Sequence, residues 1–170
     1  TPNASNSGAI NIYTPTPILS VQAGFYTATQ TVSITCADLS ATIRYTLDGS
    51  TPTTTSTLYS GPISISTTTV LRAVAFSTEL PSFTATNTYF INVSHTIPVV
   101  SICGTQVYSL IANGNTSTPV GAFELFEDNG AFIDEGEGDY NKHGNDSWAY
   151  NQRGFDFVLR DQYGYNADIE

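Results

Sequence analysis

Apolar and polar residues alternate with a period of two through most of the first hundred positions. In "TVSITC" Val32, Ile34 and Cys36 fall on one face, in "ATIRYTL" Ile43, Tyr45 and Leu47 do, and in "PISIS" Ile63 and Ile65 do. That is the spacing of half-buried strands, whose side chains point alternately to opposite faces. Two further runs, "TVLRAVAF" and "SFTATNTYFI", and turn segments such as "LDGSTP" and "SGP" complete the set. Short strands separated by turns every ten or so residues predict a β-sandwich, and no helix of convincing length competes with it.

The same style continues toward the C-terminus. "PVVSIC" and "VGAFELF" read as short strands and "EDNGAF" as a turn. "RGFDFVLRD" reads as a strand with Phe155, Phe157 and Leu159 on one face and Asp156, Val158 and Arg160 on the other. The final "DQYGYNADIE" turns and starts again, which predicts a domain that extends past Glu170. The expected fold is mostly β: an immunoglobulin-like β-sandwich followed by a second, incomplete, β-rich (α+β) domain.

Charge sharpens this division. Residues 1–97 hold three acids (Asp38, Asp48, Glu79) and two bases (Arg44, Arg72), whereas residues 98–170 hold twelve acids and three bases. With Pro98 following the polar run "NVSH", the predicted organisation is an extended lead-in over 1–14, a sandwich over 15–94 and a second domain over 95–170. The net charge of −10 would repel a polyanion, which argues against nucleic acid as a partner. No run reaches the length of a membrane span, and Thr1 opens no charged and apolar leader, so the chain reads as a mature, processed or truncated product. Its acidic composition, rich in Thr, Ser, Asn and Gly with five Lys plus Arg, leads to the expectation of a secreted or cell-surface protein. Cys36 and Cys103 could close one long loop, worth about 4 kcal/mol in an oxidising compartment, or stand free as small buried hydrophobes.

The run "IRYTLDGSTPTTTSTLYSGPISISTTTVLRAVAF" resembles the small immunoglobulin-like module at the C-terminus of chitobiase and β-hexosaminidase, over about residues 15–92. Its turn has a physical reading: Asp48 can accept bonds from the backbone N–H groups of Ser50 and Thr51, Gly49 tolerates a positive φ, and Pro52 stops the strand. "TIPVVSIC", "GAFELFEDNGAF" and "NKHGNDSWAYNQRGFDFVLRDQYGYN" resemble the N-terminal part of the CotH kinase-like family, over about 96–170, as in secreted Bacteroidetes surface proteins. That resemblance implies phosphoryl transfer, which needs a positioned lysine, a catalytic aspartate and metal-holding carboxylates. In that family those elements lie beyond the residues matched here, and no "G-x-x-x-x-G-K-[ST]", "H-R-D" or "D-F-G" replaces them. No catalytic residue and no cofactor is therefore expected.

Three groups of residues are candidates for chemistry. In the first, Trp148, His143, Arg153 and Arg160, with Lys142, could meet an anionic ligand. The alternative is a strand pair in which Asn141, Asn145, Asp146 and Gln152 bond backbone groups, Trp148 packs, and the arginines pair with Asp156 and Asp161. In the second, Asp128, Asp134, Glu135, Glu137 and Asp139 supply oxygens of the kind that Ca²⁺ takes. An EF-hand register starting at Asp139 fails, however, with His143 at its fifth position and Tyr150 at its twelfth. In the third, Tyr26, Tyr59, Tyr89 and Trp148 could form a sugar platform. His95 and His143 lack the companions of a zinc site. Sequons begin at Asn3, Asn92, Asn115 and Asn145.

The function expected from all this is a non-catalytic structural, adhesive or filament-forming module, and a cargo of type IX secretion. Its partners would be other protein subunits, surface proteins or the secretion machinery, with polysaccharide as a further partner. The alternatives are the N-terminal portion of an extracellular kinase-like enzyme and a carbohydrate-binding accessory module.

Overall fold

The computed structural model describes residues 12–113, 117–144 and 153–163. Nine strands build the first part: β1 (Ile18–Leu19), β2 (Gly24–Tyr26), β3 (Gln30–Val32), β4 (Ile34–Thr35), β5 (Thr42–Thr46), β6 (Thr57–Leu58), β7 (Ile63–Ile65), β8 (Thr69–Phe76) and β9 (Ala85–Ile91). Five of them form one sheet in the order β2-β9-β8-β5-β6, with β2 parallel to β9 and the other neighbours antiparallel. The pairs β1-β4 and β3-β7 cover one face of it.

Alternation decides which side chains meet. Val32 and Ile34, with Ile63 and Ile65 of β7, pack on Leu71 and Ala73 of β8 and on Tyr89 and Ile91 of β9, all buried. Burying an aliphatic side chain of this size contributes about 1.5–3 kcal/mol, so this sandwich core holds the first part together. Ile43 and Tyr45 pack against it as the pattern predicts, but Leu47, at the strand's end, stays exposed.

A second, antiparallel sheet follows in the order β10-β11-β12-β13: β10 (Val99–Cys103), β11 (Val120–Phe126), β12 (Phe132–Lys142) and β13 (Phe155–Leu159). A seven-residue helix, α1 (Val107–Asn113), packs Val107 and Leu110 on Tyr140, Ile102 and Phe157 on the outer face of this sheet. The chain is mostly β, as expected.

The short strands β1, β2 and β6 are not foreseen from sequence, "TVSITC" divides into β3 and β4, and two larger elements also differ from the sequence reading. Helix α1 is too short for its periodicity to show. Strand β12 was concealed because "FIDEGEGDYNK" is rich in glycine and acid, both poor strand formers. It forms because partners on both sides take its backbone: β11 pairs with it from Phe132 to Asp139, and β13 from Gly138 to Lys142. Tertiary pairing overrides propensity there.

Gly121 shows how tightly the second sheet is seated against α1. A Cβ at this position would run into the Cys103 carbonyl oxygen and Val107. Gly121→Ala is therefore expected to lower stability by about 1–3 kcal/mol, read from urea unfolding. A variant as stable as the parent would show that α1 can shift without cost.

Both cysteines are free. The Cys36 thiol donates to the Pro15 carbonyl at 3.2 Å, while Cys103 is buried, which pushes its thiol up to about 11. No helix among the described residues is long and apolar enough to cross a membrane.

Candidate functional site at the seam of the two sheets

The face of the large sheet turned away from the sandwich core meets the second sheet. Leu71 and Ala73 point into the core, so Arg72 between them points out; Tyr89 and Ile91 point in, so Thr88 points out. Across the seam stand Ser101 of β10, Glu124 of β11 and Glu137 of β12, all buried.

Arg72 is fully buried, and every part of its guanidinium has a partner. Its Nε donates to Thr86 Oγ1 at 3.1 Å, one terminal nitrogen to Thr51 Oγ1 at 2.8 Å, and the other to Glu137 Oε1 in a buried ion pair. Glu124 is held by one residue of the facing sheet: the Thr88 backbone N–H donates to Oε1 at 2.9 Å, and the Thr88 hydroxyl bonds Oε2. Thr88 Oγ1 also lies 2.6 Å from Ser101 Oγ. One end of the seam is aromatic, with Phe25 stacked on Phe90 at 4.3 Å and Phe126 edge-on to both.

Charge is unequal across this layer. Glu124 and Glu135 are direct cross-strand partners, a juxtaposition that is unfavourable when both are ionised. Burial raises the Glu124 carboxyl above the usual carboxylate range. Burial, and then the neighbouring charges of Glu124, Asp134 and Glu137, push Glu135 up to about 7.

Two clefts open along the seam. One, of about 290 Å³, has Glu135 in its wall beside Pro17, Leu19 and Asn87. The other, of about 440 Å³, is lined by Tyr13, Phe83, Thr51, Glu137, Gln162 and Tyr163, among others.

The residues singled out from sequence are dispersed differently. Of the five calcium candidates, Asp128 lies in the exposed β11–β12 turn, Asp134 falls on the face of β12 opposite to Glu135, and Glu137 is taken by Arg72. Asp139 accepts from Arg160 Nε at 2.7 Å and from the Tyr163 hydroxyl at 3.3 Å. Among the described residues, no three His, Cys, Asp or Glu side chains are grouped to hold a metal ion. Glu135, Glu137 and Asp139 share one face of β12, but Glu137 is held by Arg72 and Asp139 by Arg160 and Tyr163.

Of the anion-ligand candidates, His143 Nδ1 lies 2.8 Å from Asp156 Oδ1, and Arg153 bonds the carbonyls of Ile111 and Ala112 at the end of α1. Arg160 pairs with Asp139, an acid of β12, where Asp156 or Asp161 was expected. Lys142 and Asn141 take their places in the β12–β13 ladder, opposite Phe155 and Asp156. Trp148, Asn145, Asp146 and Gln152 lie outside the described residues.

The tyrosines expected to form a sugar platform turn inward. Tyr89 is buried and donates to the Val21 carbonyl at 2.8 Å; Tyr26 and Tyr59 pack against the core, and the Tyr59 hydroxyl accepts the Ile34 N–H at 3.0 Å. At the turn, Asp48 accepts from Ser50 as predicted, at 3.0 Å from the backbone N–H, and Gly49 has φ 75°. The Thr51 N–H goes instead to Thr105 Oγ1, across to the second part of the chain.

Of the residues that build the seam, sequence reasoning singles out Glu137 only as a cation ligand and misses Arg72 and Glu124, although both carry a signal. Arg72 interrupts the apolar run "TVLRAVAF" and Glu124 interrupts "VGAFELF". A charge at an inward position of a strand that is otherwise apolar asks for a buried partner of opposite sign or a full set of hydrogen bonds.

No curated protein and no solved structure matches the chain. Residues 21–88, which run from just before β2 into β9 and include Arg72, Thr51 and Thr88 but neither Glu124 nor Glu137, match the family of the chitobiase/beta-hexosaminidase C-terminal domain.

Proposed function

We propose that the chain is a non-catalytic accessory module of a secreted or cell-surface protein, in which the sandwich serves as a fixed platform for the sheet that follows it. The observation that carries this reading is the seam. A buried Arg72–Glu137 pair and the Thr88–Glu124–Ser101 network tie the matched module to the second sheet. Such contacts favour one relative placement of the two parts, because any other would leave buried charge without partners.

Within this proposal the lead-in ends near residue 14 and the sandwich near 94. Residues 95–170 form the opening of a CotH-like domain, in a Bacteroidetes surface protein exported by the type IX route. Among the described residues, the outer sides of β6, β10 and β13 pair with no further strand. Val100, Phe155 and Val158 are exposed there. These edges suit joining to other subunits or surface proteins by strand addition, the adhesive or filament-forming role.

Calorimetry of the whole chain tests the reading. A single unfolding transition is expected, unmoved by Mg·ATP, since a ligand that binds the folded state raises its melting temperature. Two separate transitions would remove the fixed platform, and a rise with Mg·ATP would favour the kinase-like enzyme.

A further inference from the structure

The larger cleft is where the two parts of the chain jointly offer a surface to a ligand. One wall comes from the lead-in, the segment before β9 and the turn after β5, as Tyr13, Phe83 and Thr51; the other comes from the second sheet and the turn after β13, as Glu137, Gln162 and Tyr163. Its volume of about 440 Å³ falls within the usual range for small-ligand clefts, about 300–1,000 Å³.

The aromatic wall is built before any ligand arrives. Tyr13 stacks on Phe83 with ring centroids 4.7 Å apart and an interplanar angle of 27°. Its backbone is bridged to Leu80, and its neighbour Thr14 is buried and donates through both its N–H, at 2.8 Å, and its hydroxyl, at 2.9 Å, to the Leu80 carbonyl. The opposite wall is pinned as well, since the Tyr163 N–H donates to the Arg160 carbonyl at 3.0 Å and its hydroxyl to Asp139. Walls fixed in this way lower the ordering cost of binding.

The chemistry of the lining narrows the occupant. Glu137 is already paired with Arg72, and Asp139 behind Tyr163 with Arg160, so neither acid is left as an uncompensated charge to attract an ion, and the cleft suits a neutral ligand. Open to such a ligand are the half-exposed Tyr13 ring, the amide of the exposed Gln162 and the oxygen of the Tyr163 hydroxyl, which donates to Asp139 and can still accept. That set matches a pyranose, which offers a C–H face to an aromatic ring and hydroxyl groups at its rim.

We propose that this cleft binds a neutral saccharide, with Tyr13 as its platform and Gln162 and Tyr163 meeting the sugar's hydroxyl groups. The proposal names the ligand class of the accessory module and rests on that reading. The two fail differently: loss of the single unfolding transition sinks the module, whereas absence of binding by a chain that keeps it sinks only the saccharide.

The test is isothermal titration of the whole chain with neutral oligosaccharides, comprising glucans, mannans and N-acetylated hexosamines, beside one uronic-acid oligosaccharide. Saturable binding of at least one neutral sugar is expected, weakened at least tenfold in Tyr13→Ala and in Gln162→Ala. It should be unchanged in Tyr108→Ala, which removes a tyrosine that is 82% exposed on α1, away from the cleft. The proposal is overturned if no neutral sugar binds, if Tyr13→Ala binds as the parent does, or if the acidic sugar binds best. Circular dichroism confirms that each variant is folded, and Tyr13→Phe, which keeps the ring, should retain binding where Tyr13→Ala loses it.

Discussion

Arg72→Met is expected to destabilise the chain by about 3–5 kcal/mol, the usual cost of removing one partner of a buried ion pair. The methionine fills much of the space, so the loss is chiefly electrostatic: Glu137 would keep its burial and lose its counter-charge, and Thr86 and Thr51 would lose a donor. In a chain of this size, that should lower the melting temperature by roughly 10 °C. The companion variant Glu137→Leu should cost a comparable amount, because it strands the guanidinium instead. The double variant is the discriminating one. A buried pair replaced on both sides by apolar groups is often close to neutral, so Arg72→Met/Glu137→Leu should recover much of the loss, a coupling that urea unfolding of the four proteins measures directly. Single variants within 1 kcal/mol of the parent would mean that the pair is solvated and the seam loose.

The architecture was more legible in the sequence than the site, and the difference has a physical origin. The sandwich strands follow the alternation of Val32 and Ile34, Ile63 and Ile65, and Leu71 and Ala73, because a face buried against an apolar layer has to be apolar. The seam is buried against a polar layer, and there alternation stops being informative. Glu124, Glu135, Glu137 and Asp139 alternate faithfully along β11 and β12, but their spacing in an acidic stretch reads equally well as a solvated loop or a cation cup. Which of these it is depends on Arg72 and Thr88, more than thirty residues away in sequence and brought opposite only by the stacking of the two sheets. The cleft is harder still to read, since Tyr13, Phe83 and Tyr163 share no local pattern and meet only once both sheets are in place. Tyr89, by contrast, sits in a recognisable strand, and for that reason it is spent on the core.

The unequal charge of the seam makes stability depend on pH in a direction opposite to ordinary acid denaturation. Glu135, with an ordinary value of 4.5, is pushed up to about 7 in the folded chain by burial first and by its carboxylate neighbours second. Glu124 moves the same way through burial, against the pull of its hydrogen bonds from Thr88 and Ser101. A carboxyl whose value is raised on folding binds its proton more tightly in the folded state. Its contribution is therefore complete below the unfolded value and is lost as pH rises through the folded one. For Glu135 that window runs from pH 4.5 to about 7. Because the side chain is only partly buried, the expected loss across it is about 2 kcal/mol, less than the full shift would give. Glu135→Gln keeps the shape and removes the charge. It should leave stability at pH 4.5 unchanged, flatten the decline, and make the protein more stable than the parent above pH 7, as read from urea midpoints across the range. Asp38 and Asp48, both held below the usual carboxylate range by serine hydrogen bonds, act in the opposite direction, but from exposed turns where solvent weakens their effect. A parent protein whose stability rises steadily from pH 4.5 to 7, with Glu135→Gln tracking it, would mean that neither burial nor its carboxylate neighbours raise Glu135 on folding.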